Sequence, residues 1–325
     1  MRALPSALLP LLCSAALTAH AAAPEEIRPK AAAVEPRGPR LVLSNLFGFR
    51  YNPIGIEDQL RVGLQQRLYP SERTAFKDNF VFAGLAPRVN PSFLKIGPSI
   101  EIQPLSVFSL RLTAELVGFY STFGFLQSFR SPLADYSDTA LRAGREAKQN
   151  YATYGAHAMI EPLVQVKIGP VALRDKVSIE YWKMKLREGT TVWYDITLDT
   201  LISSSGFVIT NDADILYLHD FTSWSGSFEG ARLTAGVRYT LVSPFYAERD
   251  FQAGDARSEV RNGHHRVGPL VAFTFFDRGF TTFNKPTALL IANWYVDHRF
   301  RTGSDVSAAI PMIALAFAFQ SSLLP

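Results

Sequence analysis

From residue 41 onward, apolar and polar positions alternate with a period of two in segments of about ten residues or more, and that period is the signature of a β-strand. Leu60, Val62, Leu64 and Leu68 fall on one face, with Arg61, Gly63, Gln65 and Arg67 on the other. Leu94, Ile96, Ile100 and Ile102 oppose Lys95, Gly97, Ser99, Glu101 and Gln103, and Phe108, Leu110, Leu112, Ala114 and Leu116 oppose Ser109, Arg111, Thr113 and Glu115. The clearest segment sets Ala231, Leu233, Ala235, Val237, Tyr239 and Leu241 against Arg232, Thr234, Gly236, Arg238 and Thr240. A soluble sandwich alternates too. These segments are longer than the five or six residues typical of globular strands, however, and match the roughly 9 to 11 of a tilted membrane-crossing strand. Aromatics gather near their ends, as in Phe47, Phe49 and Tyr51, Phe119 and Tyr120, Tyr181 and Trp182, and Trp294 and Tyr295. Rings bordering apolar bands form the aromatic girdles of membrane barrels.

Closure fixes parity. In hydrocarbon every backbone donor and acceptor must be paired, which strands achieve only in a closed barrel, and the number is even if both termini share one side. Thirteen segments alternate, because 191–201 also does so, with Trp193, Asp195, Thr197 and Asp199 on one side. The longest connections, 121–150 and 244–264, both lie outside only if an even number of strands separates them. Residues 190–205 are therefore read as outer loop or strand extension, with strand and loop both open for that stretch. Twelve strands remain, at 40–51, 59–69, 76–88, 92–104, 107–120, 151–168, 171–187, 206–218, 230–243, 265–277, 287–301 and 310–320. The fold class is all-β: a transmembrane, antiparallel, up-and-down barrel with long outer loops.

Composition agrees. The 325 residues are 47% hydrophobic and 19% charged, and a mean hydropathy of +0.05 is high for a water-soluble enzyme and low for a helical membrane protein. Past the first two dozen residues no apolar run approaches the roughly 20 that a spanning helix needs. The net charge of +4, from 33 basic and 29 acidic residues, is not clustered in a stripe, which sets nucleic acid aside as a partner. Arg2, the apolar run from Leu4 to Thr18 and Ala19-His20-Ala21 read as a secretory signal over 1–23. The proline-rich 24–39 is a flexible periplasmic lead-in, and 40–325 the barrel. Cys13 follows Leu12, where lipid attachment wants a small residue, so the single cysteine leaves with the signal. The exported chain then has no disulfide, thiol nucleophile or thiolate metal site.

Taken together, the signal, the girdles and a last strand alternating Ile313, Leu315, Phe317 and Phe319 resemble a bacterial outer-membrane β-barrel protein. One departure is that Gln320 to Pro325 follow the final aromatic, where the class usually ends on it. The resemblance implies outer-membrane localisation, with membrane lipid and the barrel-assembly machinery as partners. It extends over almost the whole mature chain as a pattern of periodicity, and points to no functional family.

The polar face carries more cations than anions. Arg61, Arg67, Lys95, Arg111, Lys167, Arg174, Lys176, Arg232, Arg238, Arg266 and Arg299 lie with Glu101, Glu115, Glu161, Glu180, Asp212, Asp214 and Asp297. Lining a channel, they would favour anions; as cross-strand salt bridges, they would fill a small barrel and leave no path. Ser137 or Asp138 can cap a short helix over 139–148, and a loop this long can fold into the mouth and constrict it with Arg142, Arg145 and Lys148. The alternative for the same loop is a solvated outer cap.

Other candidate chemistry is weaker. The Ile96-Gly97-Pro98, Ile168-Gly169-Pro170 and Val267-Gly268-Pro269 triplets read as strand ends, bends or bulges. His264 and His265 are adjacent, so in a strand they face opposite ways and share no metal; they read as a solvated loop pair. Asp212 and Asp214 share a face and read as partners of arginines, the alternative being a divalent cation held with further oxygen ligands. No nucleophile-elbow G-x-S-x-G is present, and neither a metal nor a cofactor is called for. The expectation is a passive porin-like channel for small, anion-favoured solutes along an arginine-rich lumen. The alternatives are a non-transporting structural or adhesive barrel working through its outer loops, and a lipid-modifying hydrolase.

Overall fold

A computed structural model of the chain describes residues 38–279 and 281–324; the signal segment with Cys13, and all but the end of the lead-in, lie outside the described residues. The chain forms one closed antiparallel barrel of twelve strands: β1 (Arg40–Tyr51), β2 (Gly55–Gln66), β3 (Phe80–Leu85, resuming at Arg88–Val89), β4 (Phe93–Ile96, resuming at Pro98–Leu105), β5 (Phe108–Tyr120), β6 (Ala152–Ile168), β7 (Val171–Met184), β8 (Ser205–Asp220), β9 (Arg232–Pro244), β10 (His264–Thr274), β11 (Asn284–Asp297) and β12 (Met312–Leu324). Closure is made by β1 on β12, where Phe47 lies opposite Phe317. The wall has no free edge, as a sheet in hydrocarbon requires.

Alternation sorts the two faces. Leu116 is 71% exposed and Ile215 62%, whereas their inward neighbours Glu115, Val117, Asp214 and Leu216 are buried. Large apolar side chains in such numbers on a monomer's outside suit contact with lipid, not water. Both described ends of the wall lie at the end with the short turns, such as those joining β4 to β5 and β6 to β7. That end is periplasmic by the loop-length rule of such barrels; the opposite end carries the long connections 121–151, 185–204, 245–263 and 298–311.

The Gly-Pro triplets have two structural meanings. Gly169 sits at φ +60° in the β6–β7 turn, a conformation glycine adopts without strain. Gly97 instead faces inward where the β5 backbone crowds it, and a Cβ there would sit 1.8 Å from the Ala114 carbonyl oxygen. Gly268 is similarly pressed against the Ala292 carbonyl. These glycines allow close backbone approach where the wall coils.

Residues 190–205 do not form a thirteenth spanning strand. Asp195 turns the chain, its carboxylate accepting from the Thr197 and Leu198 amides at 2.7 and 2.9 Å. Val192–Asp195 and Thr200–Ser203 therefore pair as a hairpin, joined by Ser128–Phe129 into a small sheet of its own.

Candidate functional site: the plugged outer mouth

The hairpin over 192–203 sits in the outer mouth. Val192, Trp193, Leu201 and Ile202 are all 0% exposed. Trp193 and Ile202 pack on Phe93, Val117, Phe119, Trp182, Met184, Val208 and Val242, the inward side chains of β4, β5, β7, β8 and β9. Its other side, through Tyr194, Ile196 and Leu201, packs on Tyr136 and Leu141 of the 121–151 loop. Polar contacts hold it around the rim. Arg50 of β1 donates to the Thr197 carbonyl at 2.7 Å and to the Ile196 carbonyl, His264 of β10 contacts the Leu198 carbonyl at 2.8 Å, and Ser203 donates to Asp250 at 3.0 Å.

Asp199, at the hairpin tip, is the centre of a network. It accepts from Tyr194 Oη at 2.7 Å, Tyr295 Oη at 2.8 Å, and Arg301 Nε and Nη2 at 2.5 and 2.9 Å. His298 Nε2 lies 3.1 Å from the Asp199 carbonyl and 3.3 Å from its carboxylate. Arg301 also donates to Asn52 at 2.7 Å and to both oxygens of Asp138 at 3.1 and 2.9 Å. One guanidinium thus ties together the β1–β2 turn, the hairpin and the helix of the 121–151 loop, using the fork geometry that carboxylates match. Burial alone would raise the Asp199 carboxyl, but Arg301 and then His298 outweigh it and hold it well below the ordinary carboxylate range. The same burial, reinforced by the Asp199 charge, pushes the Tyr194 phenol well above its usual value.

Below the hairpin the interior is filled by ion pairs. Arg61 and Arg111 meet Glu101 at 2.9 and 3.1 Å, Arg111 reaches Glu161 at 3.5 Å, and Lys176 pairs with Glu161. Arg88 holds Glu115 at 3.0 Å, and His157, stacked 4.1 Å from Trp182, bridges Glu115 at 2.7 Å and Glu180 at 3.0 Å. Lys95 lies 4.6 Å over the rings of Phe93 and Trp182, and Arg238 holds Asp214 at 2.7 Å and Asp212 at 3.4 Å. Among the described residues Arg174 and Arg266, which project into the same space from β7 and β10, have no ion pair, and Arg174 Nε and Arg266 Nε and Nη1 have no hydrogen-bond partner. A cavity among these groups, bordered by Arg61, Arg88, Arg111 and Glu161, measures about 30 Å³, room for a water or two.

Several residues expected along the lumen lie elsewhere. Arg67 follows the end of β2 and donates to the Ser71 and Lys77 carbonyls at the periplasmic end, both at 3.2 Å. Arg232 keeps the inner face it was expected on, but at the periplasmic end, where it pairs with Asp220 at 2.5 Å. Asp297 is turned outward by a register shift between His265 and Arg266, which sets it opposite His265 on the outer face. Arg299 lies beyond β11 and braces the cap through the Leu133 and Ala134 carbonyls at 2.8 and 3.0 Å. The helix forms at Asp138–Glu146, with Ser137 Oγ accepting from the Ala140 amide at 3.1 Å. It buries Leu141 and Gly144, so Arg142, Arg145 and Lys148 face away and are exposed. The hairpin constricts the mouth in their place, because it carries the apolar side chains that burial there rewards. His264 and His265 do face opposite ways but are not a solvated loop pair: His264 is buried under the hairpin, and His265 bonds Tyr239 outside. Asp199, Arg301, Arg50 and Tyr295 carried no sequence signal for this role; Arg88 and His157 did, by their place in the alternation. Among the described residues no group of three or more His, Cys, Asp or Glu is placed to hold a metal.

No protein-family model matches the chain, and no curated protein matches it. Among solved structures it is similar to the β domain of the Bordetella autotransporter BrkA (11% identity, 88% of this chain and 99% of that one, TM-score 0.44). It is also similar to LpxR from Salmonella typhimurium (12%, 87% and 99%, 0.33) and to the outer membrane protein OprD from Pseudomonas aeruginosa (8%, 87% and 92%, 0.25). At these identities and scores the likenesses say nothing of activity, and the wall itself is the finding: this chain is an outer-membrane-type β-barrel, closed at twelve strands.

Proposed function

We propose that the protein is a non-transporting envelope barrel that works through its ordered outer face. The observation that carries this reading is the hairpin in the mouth, buried on both sides and latched at Asp199. The interior ion pairs support it, since charges that satisfy one another across a barrel need no solute. A porin-like passage for anions draws support from Arg174 and Arg266, which lack ion-pair partners among the described residues, but it requires the hairpin to leave. A lipid hydrolase draws less: among the described residues no serine hydroxyl hydrogen-bonds a histidine. The test is single-channel conductance of the refolded mature chain in planar bilayers with a salt-gradient reversal potential. Electrical silence from a folded barrel is the expected result. Steady anion-selective steps overturn the proposal in favour of the channel.

A further inference from the structure

The outer face of β7 changes character along its length. Val171, Leu173, Val177 and Ile179 point outward as far as Tyr181. Beyond that ring, Lys183, Lys185 and Arg187 occupy every second position and are exposed. The outward direction of Lys183 and Lys185 is fixed by Trp182 and Met184, whose side chains lie in the interior cluster, and Arg187 lies beyond the end of the strand. Alternate strand residues stand about 6 to 7 Å apart, so three cations rise in file from the aromatic girdle into the level of the outer headgroups.

Among the described residues no carboxylate pairs with any of the three, and Glu188, next in the loop, is no exception. What holds two of them is aromatic: Lys185 Nζ lies 5.2 Å over the Tyr154 ring and 3.4 Å from its hydroxyl, and the Arg187 guanidinium lies 4.1 Å over Tyr151. Arg187 spends one donor on the Gln149 carbonyl at 3.1 Å. The ring beneath Lys185 fixes its position without consuming its charge, and Arg187, over a ring that itself packs on the interior cluster, sits at the rim with its charge likewise unspent. At that depth the anion on offer is the lipid phosphate, for which lysine supplies a point charge and arginine a fork. We infer that Lys183, Lys185 and Arg187 form a site for the phosphate of an outer-leaflet lipid. This inference is independent of whether the barrel conducts.

The experiment measures binding of bisphosphorylated lipid A, and of the same lipid with its phosphates removed, to the full mature barrel by native mass spectrometry from detergent. At roughly 1 kcal/mol for each cation near an anionic headgroup, the Lys183→Gln/Lys185→Gln variant should bind the phosphorylated lipid about thirtyfold more weakly. Arg142→Gln/Lys148→Gln, which removes the same charge from the 121–151 loop, should bind like the parent. Phosphate-free lipid should bind parent and variant with equal weakness. Arg187→Gln, beyond the end of the strand, should lose about fivefold and serves as the readout if the double variant does not fold. Unchanged affinity in these variants, an equal loss in the 121–151 loop control, or equal binding of the phosphate-free lipid each overturns the site.

Discussion

Removing the Arg301 guanidinium should release the hairpin from the mouth. Arg301 makes two bonds to Asp199 at 2.5 and 2.9 Å, with side-chain exposures of 3% and 1%, and two to Asp138, whose side chain is 41% exposed. The two carboxylates therefore weigh differently. An exposed pair contributes about 0–1 kcal/mol, whereas deleting one partner of a buried pair leaves an uncompensated charge and costs about 3–5 kcal/mol. In Arg301→Ala the open population of the hairpin should rise by roughly a hundredfold to a few thousandfold, at 1.4 kcal/mol for each factor of ten. The assay is amide hydrogen exchange across 192–203 in the refolded barrel, with the wall strands as internal reference and single-channel recording alongside. Asp138→Ala should change protection less than tenfold. Adding Asp199→Asn to Arg301→Ala should recover part of the loss, because the stranded charge goes with it. Unchanged protection in Arg301→Ala, or an equal loss in Asp138→Ala, would refute the latch.

The Asp199 carboxyl lies well below its usual range, so its contribution is in full force above the unfolded value of about 3.9 and is lost only as pH falls through the folded value; hairpin protection should hold from neutral pH down to about 4 and decline below it in an exchange titration. Asp175 faces outward among Leu173 and Val177 with one carboxylate oxygen unsatisfied, so Asp175→Val should stabilise the barrel by about 1–2 kcal/mol in urea titration within lipid; a destabilised variant would contradict the lipid-facing assignment. Gly97→Ala should lower the yield of heat-modifiable, folded barrel on cold gels, because its Cβ meets the Ala114 carbonyl at 1.8 Å, and a normal yield would count against the close approach. Arg238→Ala should destabilise the wall by about 3–5 kcal/mol by stranding Asp214 and Asp212, read as a shifted urea midpoint rather than as altered ion selectivity.

The wall was legible in the sequence because a period of two, a polar interior and an apolar outside are local properties. Each residue's face in β7 follows from counting, and parity with loop length disposed of 190–205 as a spanning strand. The same counting places Arg61, Arg111 and Glu115 inside. It fails at Asp297, where a register shift that no residue type announces reverses the face, and at Arg142, where helix orientation depends on what Leu141 finds to pack against. Whether the interior is a path or a filled space was open in the sequence, since an arginine paired across strands and an arginine lining water have the same pattern. The mouth was beyond it altogether. Asp199 and Arg301 stand 102 residues apart and on separate loops, and the alternation of 191–201 says nothing of which distant residue it will meet. Alternation thus determined a twelve-stranded wall and its two faces by itself, because backbone pairing in hydrocarbon admits few other solutions. Only the tertiary structure decided that a hairpin closes the barrel, because burial and charge pairing between distant loops depend on where the closed wall brings them together.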